Sequence, residues 1–146
     1  MDSIALYVPP DRALYTADTV LGQGTAVFED LSTYIDSLRK MLALSDDFGI
    51  LYPGHGPVVT NGKELISTYV KHRLEREGQI VEVLKGPKTE ETWTTWNVVK
   101  VIYKSYPESL WLPAAHGVDL HLKKLEVDGV VRKLGGEGVH TEWALI

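Results

Sequence analysis

The chain contains no cysteine among its 146 residues. This absence excludes a disulfide framework, a thiolate nucleophile and a zinc site built from cysteine thiolates. Any metal ion would have to be held by histidine, aspartate and glutamate, a ligand set that suits zinc, manganese or iron in a hydrolytic site. The Gly-x-Ser-x-Gly nucleophile motif and the phosphate-loop lysine motif are missing too.

Positive charge is also scarce. The 15 Lys and Arg residues are outnumbered by 20 Asp and Glu, which gives a net charge of −5 and a pI near 5.5. This balance argues against a protein whose main task is to grip nucleic acid by its phosphates.

Long apolar runs are absent as well. No uncharged stretch reaches the roughly 18–20 residues that a membrane-spanning helix needs. The first three residues lack the basic start of a signal peptide. We therefore expect no membrane partner, and the cytoplasm is the simplest compartment.

The first part of the chain alternates strands and helices. Period-2 alternation predicts a half-buried strand over residues 4–8, and a Pro-Pro-Asp turn leads to a return strand at residues 13–16. Apolar residues at i, i+3, i+4 and i+7 predict a helix that begins at Asp30 and is broken by residues 45–47. A short apolar run predicts a buried strand at residues 50–52. Together these elements indicate an α/β (α+β) fold.

A second, longer helix is predicted from an Asn61 N-cap to about Lys85. The charged pairs and triplets His72-Arg73 and Glu75-Arg76-Glu77 are expected to form its solvated face. Residues 86–87, Gly-Pro, end the helix and are typical of a linker.

Beyond the linker the pattern changes. A short helix capped by Thr94 or Thr95 and a second helix precede two predicted strands, at residues 130–134 and 140–145. Helices followed by a hairpin are typical of a winged helix.

This pattern predicts two domains, at residues 1–87 and 88–146. The second domain holds seven Lys or Arg and eight Asp or Glu, so it offers no basic surface. Its tryptophans are expected to serve as core or interface anchors.

The most restricted backbone surrounds His55. This histidine lies between Pro53-Gly54 and Gly56-Pro57, directly after the predicted strand at residues 50–52. Asp18 ends another predicted strand, and strand ends on one edge of a sheet can bring two such side chains together. The pair fits a hydrolytic metal site. The residues alone leave open that His55 is merely tolerated in a tight loop and that Asp18 is only a turn cap.

The other histidines show no metal-binding pattern. His116 and His121 are five residues apart, so they do not share a helical face as a zinc pair at i, i+4 does. Both are expected at the surface or lightly buried. His72 and His140 have no histidine partner nearby in sequence.

Several segments resemble one known family. They read YTADTVLG at residues 15–22, TAVFEDL at 25–31, YPGHGP at 52–57, His-Arg at 72–73 and LHLKKLE at 120–126. With them the chain resembles the metallo-β-lactamase superfamily, and specifically its β-lactamase-like protein 2 group, which includes an endoribonuclease and fungal lactamase-like thioesterases. The likeness covers nearly the whole chain.

The resemblance implies roles for two residues. It implies that Asp18 is the aspartate that bridges two metal ions, usually zinc, and that His55 is the last histidine ligand. It also implies attack of a metal-bound hydroxide on a carbonyl or a phosphodiester, within an αβ/βα sandwich. The family's His-x-His-x-Asp-His motif and its next histidine ligand are absent from this chain. The resemblance therefore covers the C-terminal half of the sandwich, followed by the winged helix.

Three hypotheses follow for the function. In the first, the chain is the C-terminal part of a zinc-dependent hydrolase and is inactive alone. In the second, it completes its site with a separate N-terminal half or by self-association through an exposed sheet face. In the third, it is a non-catalytic binding or scaffolding module. The first is favoured, with a thioester or other small acyl substrate for the parent enzyme. A nucleic-acid substrate is the less favoured alternative, and the resemblance also allows a mitochondrial location.

Overall fold

The computed structural model of the chain describes residues 3–24, 26–44, 48–87 and 92–146. The helix-breaking segment predicted at residues 45–47 lies outside the described residues. The elements in chain order are β1 (Leu6–Val8), a 3₁₀ turn (Pro9–Asp11), β2 (Ala13–Ala17), α1 (Leu31–Ala43), β3 (Ile50–Pro53), α2 (Gly62–Lys85), β4 (Trp93–Thr94), α3 (Thr95–Ile102), a 3₁₀ turn (Glu108–Leu110), α4 (Trp111–Val127), β5 (Val131–Gly135), a 3₁₀ turn (Gly138–His140) and β6 (Glu142–Leu145).

The chain forms two compact units, Met1–His72 and Arg73–Ile146, so the division falls inside α2. The domain boundary predicted at residues 87/88 adjoins residues 88–91, which lie outside the described part, and it stays a prediction. No helix in the described ranges is long and apolar enough to cross a membrane.

The first unit is built on a three-stranded sheet of order β1-β2-β3. β1 and β2 are antiparallel, whereas β2 and β3 are parallel. On one face Leu14 and Leu51 are fully buried. The α1 helix also buries its apolar stripe, which consists of Leu31, Tyr34, Ile35, Leu38 and Met41. The predicted helix is thus confirmed, with Asp30 as the N-cap and Leu31 as the first helical residue.

The Asp30 side chain caps α1. Its Oδ1 accepts a hydrogen bond from the Thr33 backbone N–H at 2.6 Å. This cap satisfies one of the N–H groups that a helix start leaves unpaired. The hydrogen bonds from Thr33 also lower the pKa of the Asp30 carboxyl.

One row of side chains on the other face of this sheet is apolar and exposed. Leu6, Tyr15 and Tyr52 lie side by side in the strand register and are 60%, 44% and 37% exposed. The two tyrosine rings stack with centroids 4.8 Å apart. Apolar side chains from all three strands therefore line one solvent-facing surface, which we call the open face.

The second unit packs α3, α4 and the end of α2 against a three-stranded sheet of order β4-β6-β5. Its core includes Trp93 and Trp143, which are 4% and 1% exposed. The indole Nε1 of Trp143 donates to Thr95 Oγ1 at 3.0 Å. The Thr94 side chain caps α3, as predicted. The two-residue strand β4 was not predicted, because it is too short to show an alternation pattern.

Two predictions about helix surfaces are wrong. Glu77 was expected on the solvated face of α2, but it is only 6% exposed, and its carboxylate pairs with Lys124 Nζ at 2.9 Å. His121 was expected near the surface and is only 4% exposed. Both errors arise because α2 and α4 contain polar residues on faces that tertiary packing covers.

His121 is buried as the neutral imidazole. Burial, with further contributions from the positive charges of Arg73, Arg76 and Lys124, lowers its pKa to about 4. Its Nδ1 atom has no hydrogen-bond partner among the described residues. Protonation of this ring within the folded unit is therefore unfavourable.

We expect the stability of the second unit to fall as pH decreases from about 6.5 to 4. In this window the unfolded chain binds a proton at His121 and the folded chain does not, so acid favours unfolding; the loss is about 3 kcal/mol. Urea unfolding at several pH values, compared between the wild type and His121→Leu, measures it. The variant should lack this part of the pH slope, whereas His116→Gln at an exposed helix position should keep it. An equal slope in His121→Leu would contradict the assignment.

Candidate metal centre

The parallel pairing of β2 and β3 brings Asp18 and His55 together. Ala17 pairs with Pro53 in the register, so the residues that follow the two strands leave the sheet at the same edge. His55 Nε2 lies 3.5 Å from Asp18 Oδ1, and the two side chains are 76% and 53% exposed. An accessible carboxylate and imidazole thus face solvent next to each other, as strand-end geometry predicts.

The backbone before Asp18 turns sharply. Ala17 has a φ of +45°, a left-handed conformation that is uncommon for a residue with a side chain, and the strand register shifts between Tyr15 and Ala17. The Ala17 carbonyl accepts a hydrogen bond from the Gly54 N–H at 2.7 Å. This bulge directs Asp18 across the end of β3.

Gly54 provides the space that the Asp18 carboxylate occupies. A Cβ atom at Gly54 would lie 2.6 Å from Asp18 Oδ1 and 3.2 Å from the Ala17 carbonyl carbon. The Pro-Gly sequence predicts only a turn here, because the second role of Gly54 depends on a neighbouring strand and is not visible in sequence.

Two further glycines let the Asp18 and His55 loops touch. The Gly22 N–H donates to the His55 carbonyl at 3.1 Å, and a Cβ at Gly22 would collide with the Pro57 carbonyl oxygen. Gly56 has a φ of +87°, and a Cβ there would lie 2.5 Å from the Gln23 nitrogen. We call this contact of residues 22–23 with residues 55–57 the glycine interlock.

Asp18 and His55 have suitable chemistry for a metal but are too few. Carboxylate oxygen and imidazole nitrogen are common zinc ligands, and a zinc site normally has four ligands. Among residues 3–24, 26–44, 48–87 and 92–146, no group of three or more His, Cys, Asp or Glu side chains could hold a metal ion. The described residues thus fit part of a metal site and do not complete one.

Part of the second unit matches a known domain family. A family model, the Beta-lactamase associated winged helix domain, matches residues 94–143. The Caenorhabditis elegans Beta-lactamase-like protein 2 homolog is 42% identical over 130 residues, which cover 89% of this chain and 42% of that protein. Thioesterase pkgB of Emericella nidulans is 40% identical over 84 residues, or 58% of this chain and 24% of that protein.

Solved structures share the fold. A beta-lactamase domain protein from Burkholderia ambifaria superposes with a TM-score of 0.76 at 18% identity, over 97% of this chain and 44% of that chain. A metallo-β-lactamase family protein from Thermus thermophilus gives a TM-score of 0.66 at 19% identity, with the same coverage of both chains. The chain belongs to the metallo-β-lactamase superfamily. The predicted α/β fold with an appended winged helix is confirmed.

Within the superfamily this chain corresponds to the C-terminal portion of the fold. It spans less than half of the C. elegans relative and of the two solved structures. The superfamily's hydrolase fold is thus present in part, and Asp18 and His55 stay predictions as metal ligands.

Proposed function

We propose that this chain is the C-terminal part of a metal-dependent hydrolase, in which Asp18 and His55 supply two of the metal ligands. The observation that carries this proposal is their convergence at the ends of two parallel strands, with Nε2 and Oδ1 3.5 Å apart. Their 53% and 76% side-chain exposure leaves both able to reach a third group. Zinc is the proposed metal, and it supplies hydrolytic chemistry when it is bound.

The remaining ligands are proposed to lie outside this chain. Because two donors cannot fill the usual four-coordinate zinc site, the chain alone is expected to be inactive. We expect these ligands in the portion of the relatives that does not align with this chain.

The chain's zinc content tests this proposal. We expect well under one zinc per chain after dialysis against buffer containing trace zinc, and no acyl-thioester hydrolysis above the rate in buffer. Metal analysis by mass spectrometry provides the readout, with His55→Ala as the matched variant. A stoichiometric dinuclear site in the wild type would overturn the incomplete-site proposal.

The open face is proposed to pack against the other half of the sandwich. Exposed apolar side chains in register on three strands are costly to leave in water, and a patch of this kind marks a contact surface. More than half of each matched protein does not align with this chain. That length of sequence is enough to form the other half of the sandwich.

Without its partner half, the chain should self-associate through the open face. Sedimentation velocity at several concentrations should show reversible association, which Leu6→Lys weakens because it places a charge on the face. Leu44→Lys is the matched control, since Leu44 is 54% exposed and does not belong to this face. A wild-type chain that stays monomeric at all concentrations would count against the missing half.

A thioester or related acyl compound is the proposed substrate class of the complete enzyme. The likeness to a thioesterase supports it. The excess of eight acidic over seven basic residues in positions 88–146 weighs against an RNA substrate. Salt-dependent binding of single-stranded RNA by the chain would favour the ribonuclease alternative, and binding of neither substrate by the completed enzyme would favour a scaffolding role.

A further inference from the structure

The loop after Asp18 is held by hydroxyl groups. Three successive carbonyl groups each accept a hydrogen bond from a side-chain hydroxyl, and each hydroxyl belongs to a different element. The bonds are Tyr34 Oη to the Thr19 carbonyl (2.9 Å), Thr16 Oγ1 to the Val20 carbonyl (2.7 Å) and Tyr69 Oη to the Leu21 carbonyl (3.4 Å). The donors come from α1, β2 and α2, so the loop is hydrogen-bonded to three elements.

Two of these donors are buried in the first unit. Thr16 is fully buried and Tyr34 is 7% exposed. The Tyr34 ring also stacks on Phe28, with centroids 4.3 Å apart. A hydroxyl on a buried, packed side chain fixes its acceptor more firmly than one on a mobile surface residue, because little side-chain entropy remains to be lost.

The next residue links this loop to the His55 loop. Gly22 follows the last of the three carbonyls, and its N–H donates to the His55 carbonyl at 3.1 Å. Since the glycine interlock presses the two loops together there, a loop fixed at residues 19–21 also fixes the backbone of His55.

We propose that Thr16, Tyr34 and Tyr69 are positioning residues, which preset the spacing of Asp18 and His55 before any metal binds. The metal-binding purpose of this positioning rests on the proposed function. The claim that the hydroxyl groups set the geometry of the pair does not depend on it. Each hydroxyl acts through the loop, since the group that accepts its hydrogen bond is a backbone carbonyl of residues 19–21, which follow Asp18 and precede Gly22.

Amide hydrogen exchange separates positioning from general stability. The Thr19, Gly22 and Gly54 amides donate within or between the two loops, to Thr16, His55 and Ala17 carbonyls. In Tyr34→Phe, which keeps the ring, we expect these amides to exchange about 10-fold faster, the effect of losing one hydrogen bond. The amide of Leu51, a β3 residue that donates to the Val59 carbonyl, should be unchanged.

Further variants make the result specific. Tyr69→Phe should give the same local pattern, with the largest change at Gly22. Tyr7→Phe is the control, since Tyr7 lies in β1 against Phe48 and its hydroxyl is not one of the three donors. If the loop amides and the Leu51 amide all exchange equally faster, the hydroxyl groups contribute only to general stability and the positioning role is wrong. Unchanged exchange rates of the loop amides in both Tyr34→Phe and Tyr69→Phe would also overturn the proposal.

A zinc titration followed by NMR distinguishes this inference from the proposed function. In the wild type, zinc should shift the His55 ring signals, and Tyr34→Phe should weaken the apparent affinity by about 10-fold, as loss of a residue behind a metal ligand typically does. If zinc shifts nothing at His55 but the loop amides respond as expected, the positioning role stands and the metal role falls. If zinc binds at His55 with equal affinity in both proteins, the positioning role falls.

Discussion

Lys124→Met should lower the unfolding free energy of the second unit by about 3–5 kcal/mol, the typical cost of removing one partner from a buried ion pair. Lys124 Nζ lies 2.9 Å from the Glu77 carboxylate, and these side chains are only 10% and 8% exposed. A second bond joins Lys124 to Asp128 at 2.6 Å. Methionine fills much of the lysine stem's volume but leaves the Glu77 carboxylate buried without this partner.

The pKa of Lys124 is consistent with a charged, bonded ammonium. Burial acts to lower this pKa, but hydrogen bonds to Asp128 and Glu77 outweigh burial, and the pKa is raised. The positive charge of Lys124 is therefore retained in the folded unit at neutral pH. Its removal takes an ion-pair partner from both Glu77 and Asp128.

Urea unfolding followed by tryptophan fluorescence measures the effect, because all four tryptophans lie in the second unit. Lys123→Met is the matched control: Lys123 pairs with Asp119 at 2.8 Å but is 63% exposed, so its loss should cost no more than about 1 kcal/mol. The double variant Glu77→Leu/Lys124→Met should recover much of the loss. A single variant as benign as the control would show that Glu77 and Lys124 do not depend on each other.

Gly22→Ala should lower the stability of the first unit by about 3 kcal/mol, at the upper end of the cost of forcing extra atoms into a packed site. The added Cβ would meet the Pro57 carbonyl oxygen and lie 2.8 Å from the Pro57 nitrogen. Because these are backbone atoms, one loop must move as a whole, which also breaks the Gly22 bond to the His55 carbonyl.

Hydrogen exchange of amides in β2 and β3 measures this change, since the first unit contains no tryptophan. Gly49→Ala is the matched control: a Cβ there has its nearest neighbour at 3.8 Å, so a change within about 1 kcal/mol is expected. Equal stability of Gly22→Ala and Gly49→Ala would mean that the glycine interlock is not tight in solution.

Local patterns in the sequence predict much of this fold. The α1 stripe and its Asp30 cap are visible because helix periodicity and capping act within a few residues. Asp18 and His55 are predicted as candidate site residues for a similar reason, since each lies in a turn directly after a predicted strand. Their proximity needs only that the two strands be parallel neighbours.

The remaining features depend on residues far apart in the chain. Whether Glu77 and His121 are buried is decided by the pairing of α2 with α4, which neither helix encodes alone. The Tyr34 and Tyr69 hydroxyls donate hydrogen bonds to carbonyls 15 and 48 residues away in sequence. No local sequence pattern predicts these hydrogen bonds. Gly22 and Gly54 look like ordinary turn glycines until the neighbouring loop is in place.

A zinc titration of the ¹⁵N-labelled chain, with Asp18→Asn and His55→Ala alongside, tests the central claim most directly. We predict weak binding, with signal changes centred on residues 17–19 and 54–56 that disappear in either variant, and little zinc retained after dialysis. Changes centred on other histidines, such as His116 or His140, or tight binding that survives both substitutions, would contradict the assignment of Asp18 and His55 as part of a divided metal site.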